Sequence, residues 1–284
     1  MVTLKNEFQT QTCQQHLLLF TSDAPVATPK RIMLLHGAGV GGELTWTFVA
    51  NYLTYWDEIY IPDLAGMGKA FFLDNPQPSV ADYAQQLDEL CEYLNLSISD
   101  FDFAGYSFGG MVLEHWLRDK NHQGLVFLLE PAMLFSENCQ QILEKSQHYK
   151  EVSQSILGYP YDLGAYTNFL NSVSPKRVAD KKADALTIKR LQENPQGFSQ
   201  ALAAITSKLK EECDYYINWQ SPWHGASFVG GLSWPAMHQR HQQLAQQSQA
   251  WHFEVVPNTD HSLVFTRPRS IAKVMNVVAE RYYS

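Results

Sequence analysis

A serine between two glycines is the residue of this 284-residue chain best placed for covalent chemistry. Ser107 stands at the centre of a G-x-S-x-G motif at 105–109, after the apolar run 101–104 and before a helical pattern over 110–119. Such a motif between a strand and a helix is typical of a sharp turn that presents the serine hydroxyl above a sheet. The helix N-terminus then stabilises negative charge beside that hydroxyl. The sequence therefore predicts that Ser107 is a nucleophile.

A serine hydroxyl is a poor nucleophile until a base takes its proton. His261 is the predicted base, because it follows the apolar run 251–256 and lies late in the chain, after the serine. Four other histidines fit less well, namely His115, His224, His238 and His241. The last two have the three-residue spacing of a metal-binding pair, but no nearby cysteine or acid completes a ligand set. A solvated helix face is the better interpretation of that pair.

The loop His36-Gly37-Ala38-Gly39 follows the apolar run 32–35. A loop at this place can direct a backbone N–H at a carbonyl oxygen that becomes an anion, and the N–H after the nucleophile supplies the second donor. We predict that the Ala38 and Phe108 amides form an oxyanion hole. The alternative is a plain glycine-rich turn between a strand and a helix.

Short apolar runs separated by helical stretches organise the chain. They lie at 32–35, 59–61, 101–105, 125–129, 226–229 and 251–256. Runs that are apolar on both faces and alternate with helices predict a buried parallel sheet. Apolar spacings of three and four predict helices over 82–96 and 268–282, and partial alternation over 8–21 predicts an antiparallel hairpin at the sheet edge.

Residues 134–219 break this rhythm, since helical segments occur there without a buried strand. We interpret 134–219 as a helical cap inserted into a core domain formed by 1–133 and 220–284, above the edge where open sheets bind ligands. Aromatic side chains are frequent in and near the predicted cap, and they fit either an apolar substrate pocket or the docking of the cap on the sheet. They are Tyr159, Tyr161, Tyr166, Phe169, Tyr215, Tyr216, Trp219 and Trp223.

The net charge of −8 and the pI of about 5.7 exclude a basic surface for nucleic acid. No apolar run approaches the ~20 residues that span a bilayer, and the N-terminal segment lacks the pattern of a signal sequence. The four cysteines are scattered, which predicts reduced thiols and a cytoplasmic protein. The expected partner is a small-molecule substrate, and the sequence leaves a homodimer open.

The chain resembles the α/β-hydrolase superfamily, in its capped, cofactor-free branch. The resemblance rests on four segments, at 34–37, 62–68, 104–110 and 260–263. It implies an α/β fold with a mostly parallel, eight-stranded sheet, helices on both faces and a helical cap, and it implies no metal or organic cofactor. It also implies a serine, histidine and acid triad, to which Ser107 and His261 are matched. Asp63 matches a position that is usually structural.

The acid of the expected triad is displaced. The family usually places it after the penultimate strand, where this chain has Ser233. A serine cannot carry the charge that stabilises an imidazolium. Glu130, which ends the apolar run 125–129, is the predicted replacement, because some members of the superfamily take their acid from that position. A glutamate hydrogen-bonded to the turn or the cap is the alternative, and Asp260, Asp162, Asp214 and Glu212 are weaker candidates.

These residues together predict a serine hydrolase that acts by acyl transfer on a small, partly apolar ester, thioester or lactone. Ser107 argues against dehalogenase and epoxide-hydrolase chemistry, because both use an aspartate nucleophile in this fold. Three other chemistries on the same site remain open, namely C–C bond hydrolysis, peptide hydrolysis and perhydrolysis. A catalytically weak binding protein that has lost its acid is a further alternative.

Overall fold

The computed structural model describes residues 2–24, 26–177 and 180–284, with the exception of the Lys181 side chain. The described residues form one mixed sheet and eleven α-helices. The strands are β1 Val2–Gln9, β2 Cys13–Thr21, β3 Arg31–Leu35, β4 Glu58–Pro62, β5 Phe71–Phe72, β6 Phe101–Tyr106, β7 Val126–Leu129, β8 Gly225–Gly230 and β9 Trp251–Val256. The helices are α1 Gly42–Ala50, α2 Val80–Tyr93, α3 Phe108–Leu117, α4 Cys139–Gly158, α5 Leu163–Val173, α6 Lys181–Leu191, α7 Pro195–Glu211, α8 Cys213–Asn218, α9 Pro235–Gln247, α10 Leu263–Thr266 and α11 Pro268–Tyr283.

The sheet has the strand order β1-β2-β4-β3-β6-β7-β8-β9. Six neighbouring strands of this order run parallel, namely β4, β3, β6, β7, β8 and β9. The strands β1 and β2 form the antiparallel hairpin that the sequence predicts, and β2 is also antiparallel to β4. A ninth strand, β5, joins the eight expected ones through two residues that pair with β2. So short a strand has no readable alternation, which explains why the sequence pattern does not reveal it.

The sheet separates two apolar cores. Along β3, Ile32 and Leu34 belong to one core, while Met33 and Leu35 belong to the other. Side chains on successive residues of a strand point to opposite faces, so a strand that is apolar throughout must be covered on both sides. Helices α1 and α11 contribute buried residues to the first core, and α2 and α3 to the second. The architecture is the predicted α/β sheet with helices on both faces.

The parallel register aligns the carboxyl ends of the central strands. Leu35 of β3 is level with Gly105 of β6, and Tyr106 of β6 is level with Leu129 of β7. Leu129 is in turn level with Phe228 of β8. The residues that follow these strands therefore meet at one edge of the sheet.

Helices α4 to α8 lie between β7 and β8, and we call them the insertion. A cluster of charged groups joins the insertion to α3. Arg118 donates to both carboxylate oxygens of Glu212, at 3.0 and 2.7 Å, and also to the buried Glu114. Tyr215 of α8 donates to the same Glu114 carboxylate at 2.7 Å. Ion pairs that form a network hold two elements together better than isolated surface pairs do.

Two of the four cysteines form a disulfide. Cys139 at the start of α4 is bonded to Cys213 at the start of α8, with their Cα atoms 5.7 Å apart. The prediction of four reduced thiols is wrong for this pair, because 74 residues of sequence separation hide a contact that only the packing of the insertion creates. Cys13 and Cys91 are free and buried. Among the described residues, no helix combines the length and the apolar character needed to cross a membrane.

The insertion contacts the core through two glycines. A Cβ placed on Gly197 of α7 would lie 1.6 Å from the carbonyl oxygen of Gly66, in the loop after β4. That distance is far inside van der Waals contact, and a backbone carbonyl cannot rotate away as a side chain can. The two backbones touch here because neither residue carries a side chain.

Replacing Gly197 therefore tests how the insertion is seated. We expect Gly197→Ala to lower the free energy of unfolding by about 2 kcal/mol or more, because the added methyl group separates α7 from the loop. Urea unfolding followed by circular dichroism measures this change. The matched control is Gly158→Ala in α4, where an added Cβ meets nothing within 4 Å. The control should be neutral or stabilising by about 0.5–1 kcal/mol, as expected for alanine in a helix. Equal effects of the two substitutions would contradict this account.

Candidate active site

Ser107 occupies the turn between β6 and α3. Its φ of 52° lies in the left-handed region, which a residue with a Cβ adopts at a cost. The close approach of the turn to β3 explains the glycine at 109, since a Cβ there would lie 2.5 Å from the carbonyl oxygens of Leu35 and His36. The turn thus holds the Ser107 hydroxyl at the carboxyl edge of the sheet, partly open to solvent.

His261 lies in the loop between β9 and α10. Its Nε2 atom is 3.1 Å from the Ser107 Oγ, which is hydrogen-bonding distance. The Tyr106 hydroxyl donates to the His261 carbonyl oxygen at 2.8 Å, and this contact fixes the loop against β6. The two predicted residues are 154 positions apart in the sequence and come together in the fold.

Glu130 directly follows β7, and its side chain is fully buried. Its Oε2 atom lies 2.8 Å from His261 Nδ1, on the side of the ring that faces away from Ser107. An ionised carboxylate only accepts hydrogen bonds, so with Glu130 ionised Nδ1 carries the proton and Nε2 is free to accept one. The structure brings Ser107, His261 and Glu130 into one continuous chain of hydrogen bonds.

The other oxygen of Glu130 is also satisfied. Oε1 accepts from the Gly230 backbone N–H at 2.7 Å and from the Ser233 hydroxyl. Ser233 occupies the position where the family usually has the acid of its triad. Its hydroxyl donates to the Glu130 carboxylate, which follows β7. A buried carboxylate with partners on both oxygens avoids the cost of an uncompensated charge. The sequence analysis did not predict that Ser233 would hydrogen-bond Glu130. The one signal for it was a polar residue where the family usually has an acid.

The weaker candidates for the acid are engaged elsewhere. Asp260 accepts from the backbone N–H and the hydroxyl of Ser262, within its own loop. Asp162 caps α5 and Glu212 pairs with Arg118. None of these contacts places a carboxylate on the His261 ring.

The loop 36–39 lies against the serine turn. A Cβ on Gly37 would lie 3.1 Å from the Ser107 Cβ, so the two backbones approach as closely as their side chains permit. The buried His36 ring holds this loop, because Nε2 accepts from the Leu64 N–H at 2.8 Å, and Nδ1 therefore donates to the Gly37 carbonyl at 2.8 Å. Burial lowers the pKa of His36, which keeps the ring neutral in this role. Ala38 follows directly in the loop, and Phe108 begins α3.

Asp63 supports the same loop from behind. Its carboxylate accepts from the backbone N–H of Gly42 at 2.6 Å and of Lys69 at 2.9 Å, and it contacts His16 Nδ1 at 2.7 Å. Burial opposes the charge, but the hydrogen bond with His16 and those from the two amides together lower the pKa of Asp63. The Asp63 carboxylate thus bonds to groups other than Ser107 and His261, in agreement with the structural role that the sequence analysis gives it.

The insertion covers the loop 36–39. A Cβ on Gly39 would lie 2.4 Å from a methyl carbon of Leu191 and 2.8 Å from the Phe198 ring. Phe198 also contacts the rings of Tyr166 and Phe169, which are two of the predicted aromatic residues. Apolar side chains of α6 and α7 therefore lie against the loop 36–39, and rings of α5 pack behind them.

The remaining predicted aromatic residues lie in other environments. Tyr159 and Tyr161 project into solvent, with exposed fractions of 61% and 67%. The Arg118 guanidinium lies over the Tyr215 ring. Three further rings are buried in the core around α8 and β9, namely Tyr216, Trp219 and Trp223. Docking therefore accounts for most of the buried rings, and Tyr166 and Phe169 are the pair that packs against Phe198.

The other histidines show no metal-binding arrangement. His241 is buried against the Phe253 ring, and burial lowers its pKa to about 3. Within the described ranges, no group of three or more histidine, cysteine, aspartate or glutamate side chains is arranged to hold a metal ion.

Comparison with known proteins identifies one family. The model of the alpha/beta hydrolase family matches residues 32–274, which is most of the chain. No curated protein matches the sequence significantly.

Solved structures with the same fold share little sequence with this chain. A provisionally assigned epoxide hydrolase from Pseudomonas aeruginosa aligns with a TM-score of 0.74 at 14% identity, over 99% of this chain and 97% of its own. An esterase from Exiguobacterium antarcticum aligns with a TM-score of 0.71 at 12% identity, over 98% and 100%. A carboxylesterase structure from Nitrososphaera gargenis gives 0.69 at 15%, over 98% and 100%. At these identities the likeness extends to the fold alone.

The buried contacts of Asp63 predict a pH-dependent loss of stability. We expect Asp63→Asn to lower the free energy of unfolding by about 3 kcal/mol at pH 7, because the amide cannot serve as a charged acceptor for the same partners. A carboxyl whose pKa is lowered by folding contributes stability above its unfolded pKa and loses it as the pH falls through its folded pKa.

The difference between the variant and the natural protein should therefore shrink as the pH falls below about 4. Urea unfolding at pH 7, 5 and 3 measures it. The exposed Asp74→Asn is the control and should stay within about 0.5 kcal/mol at each pH. A difference for Asp63→Asn that is constant across the range would disprove the electrostatic explanation.

Proposed function

We propose that this chain, which belongs to the alpha/beta hydrolase family, is a serine hydrolase that cleaves small, partly apolar esters by acyl transfer. The observation that supports this most directly is the hydrogen-bonded chain from Ser107 Oγ through the His261 ring to the Glu130 carboxylate, with distances of 3.1 and 2.8 Å. The same three groups in the same order activate serine in other hydrolases with unrelated folds.

Each group has a defined role in the proposed reaction. Ser107 Oγ attacks the ester carbonyl while His261 Nε2 takes its proton. Glu130 stabilises the imidazolium that forms and holds the ring in orientation. His261 then gives the proton to the leaving alkoxide, and a water molecule, activated in the same way, releases the acid from Ser107.

The oxyanion of the tetrahedral intermediate needs donors that are fixed in advance. We assign this role to the Ala38 and Phe108 amides, because the loop 36–39 lies against the serine turn and Phe108 begins α3. The α3 N-terminus adds a favourable dipole. Such donors are worth about 10²–10³ in kcat each in a comparable enzyme.

Apolar substrates are favoured by the cover of the site. Leu191 and Phe198 lie over the loop 36–39, and we propose that the insertion acts as the cap, with the predicted boundaries 134–219. Ser107 in the nucleophile position argues against epoxide hydrolysis, for which an aspartate nucleophile is expected in this fold. The complete set of three groups argues against a binding protein that has lost its acid.

The nucleophile can be tested by covalent labelling. A fluorophosphonate should label the protein at one site per chain, because the activated Ser107 oxygen displaces fluoride from phosphorus. Intact-mass spectrometry measures the stoichiometry. Ser107→Ala should not be labelled, whereas Ser262→Ala, in the loop beside His261, should react like the natural protein. A folded natural protein that fails to react would disprove the proposal.

The acid can be tested by exchanging two side chains. We expect Glu130→Gln to lower kcat for 4-nitrophenyl butyrate by about 10³–10⁴, since the loss of an equivalent acid costs about 10⁴ in a serine protease. Glu130→Ser should be similarly inactive. Glu130→Ser combined with Ser233→Asp places the carboxylate where the family usually has it, and should recover at least about tenfold over the single variant. An active Glu130→Gln enzyme would show that another group supports His261.

A further inference from the structure

A cavity lies between α4, α5 and the start of α9. Its volume is about 520 Å³, which is in the range of small-molecule sites. Its walls are apolar on the side of Phe135 and Trp234, and the Lys145 side chain enters from α4. A cavity with apolar walls and one cationic group suits a ligand with an apolar body and an anionic end.

The Lys145 amine is held in place from several sides. It donates to the Ser172 carbonyl oxygen, which also accepts from Trp234 Nε1 at 3.0 Å. The amine lies 5.3 Å from the centre of the Tyr149 ring and 5.7 Å from that of Trp234. Aromatic faces at these distances attract a cation. The side chain is therefore ordered, with its charge at the cavity wall.

No carboxylate of the described residues forms an ion pair with Lys145. The adjacent Glu144 is exposed, and its carboxylate accepts from Gln140. His148, the other titratable group of the wall, faces the Asn168 carbonyl at 3.4 Å. Burial accordingly lowers the pKa of Lys145 to about 7, against the opposing influence of Glu130. The Lys145 side chain is only half-buried, and an ammonium there that no carboxylate neutralises would gain from a bound anion.

The cavity adjoins the triad through one residue. Trp234 forms part of its wall and directly follows Ser233, whose hydroxyl donates to Glu130. Glu130 acts on Lys145 only through space, because the hydrogen bonds of its two oxygens are with His261, Gly230 and Ser233. A carboxylate of a ligand in the cavity would give Lys145 an anionic partner.

We propose that this cavity binds a carboxylate at the far end of the acyl group of the substrate, and that Lys145 is the cation that pairs with it. The substrates would then be esters of dicarboxylic acids with one free carboxylate, held by the cavity while the ester carbonyl lies over Ser107. Lys145 acts on specificity and takes no part in the bond-breaking steps. This inference rests on the proposed function for its kinetic consequences, but the binding site itself does not.

Two esters with acyl chains of equal length test the proposal. They are the 4-nitrophenyl monoester of hexanedioic acid, which has a free carboxylate, and 4-nitrophenyl hexanoate, which has none. We expect Lys145→Met to lower kcat/KM for the first by about tenfold or more, mainly through KM, and to leave the second within about twofold. Lys150→Met, an exposed lysine on the same helix, is the matched control and should preserve the ratio of the two values.

The outcomes separate a binding role from a purely structural one. Equal losses for both esters in Lys145→Met would mean that the lysine only anchors α4 to the Ser172 carbonyl, and would overturn the proposal. An unchanged ratio would overturn it as well. If the natural protein hydrolyses neither ester, the proposed function fails. Whether the cavity binds a carboxylate is then tested by a binding measurement alone.

Calorimetry supplies that independent measurement. Hexanedioate should bind to Ser107→Ala, and the additional Lys145→Met substitution should raise the Kd by about tenfold or more. Equal affinities of the two variants, or the absence of binding to Ser107→Ala, would refute the carboxylate site without reference to catalysis. Retained binding in the absence of turnover would instead support the site and reject the ester hydrolase.

Discussion

The contact between the Glu130 carboxylate and the His261 ring is the interaction on which the site depends. It joins a residue that ends β7 to a residue that follows β9, with a distance of 2.8 Å between Oε2 and Nδ1. A buried carboxylate is tolerated only when its oxygens have partners, and a histidine can act as a base toward serine only when its tautomer is fixed. The hydrogen bond between Oε2 and Nδ1 contributes to both requirements, and Gly230 and Ser233 supply the partners of Oε1.

The register of the parallel strands makes that contact possible. Because Tyr106 is level with Leu129, the chain leaves β6 and β7 at the same height, while β8 continues beyond this level to Gly230. Backbone groups of β8 then reach the residue that follows β7, as in the hydrogen bond from the Gly230 amide to Glu130. A shift of one residue between β6 and β7 would place the carboxylate on the opposite face of the sheet.

The insertion lies close to the carboxyl edge of the sheet at two places. Through Leu191 and Phe198 it covers the loop 36–39 with apolar side chains, and through Lys145 it lines the cavity beside Trp234. The Cys139–Cys213 disulfide and the ion pairs of Arg118 fasten its helices to each other and to α3. The segment that covers the loop 36–39 is therefore fastened to a helix of the core.

The sequence alone determined what local chemistry dictates. The turn that presents Ser107, the buried runs of the sheet and the late His261 are each encoded within a few neighbouring residues, since steric limits and apolar periodicity act over that range. Tertiary structure decided the contacts between residues far apart. It brought Ser233 into hydrogen-bonding distance of Glu130, Cys139 into a disulfide with Cys213, and the Gly197 backbone into contact with Gly66. It also left Tyr159 and Tyr161 exposed to solvent. Such pairings depend on how helices and strands pack, and no short segment of the sequence contains both partners.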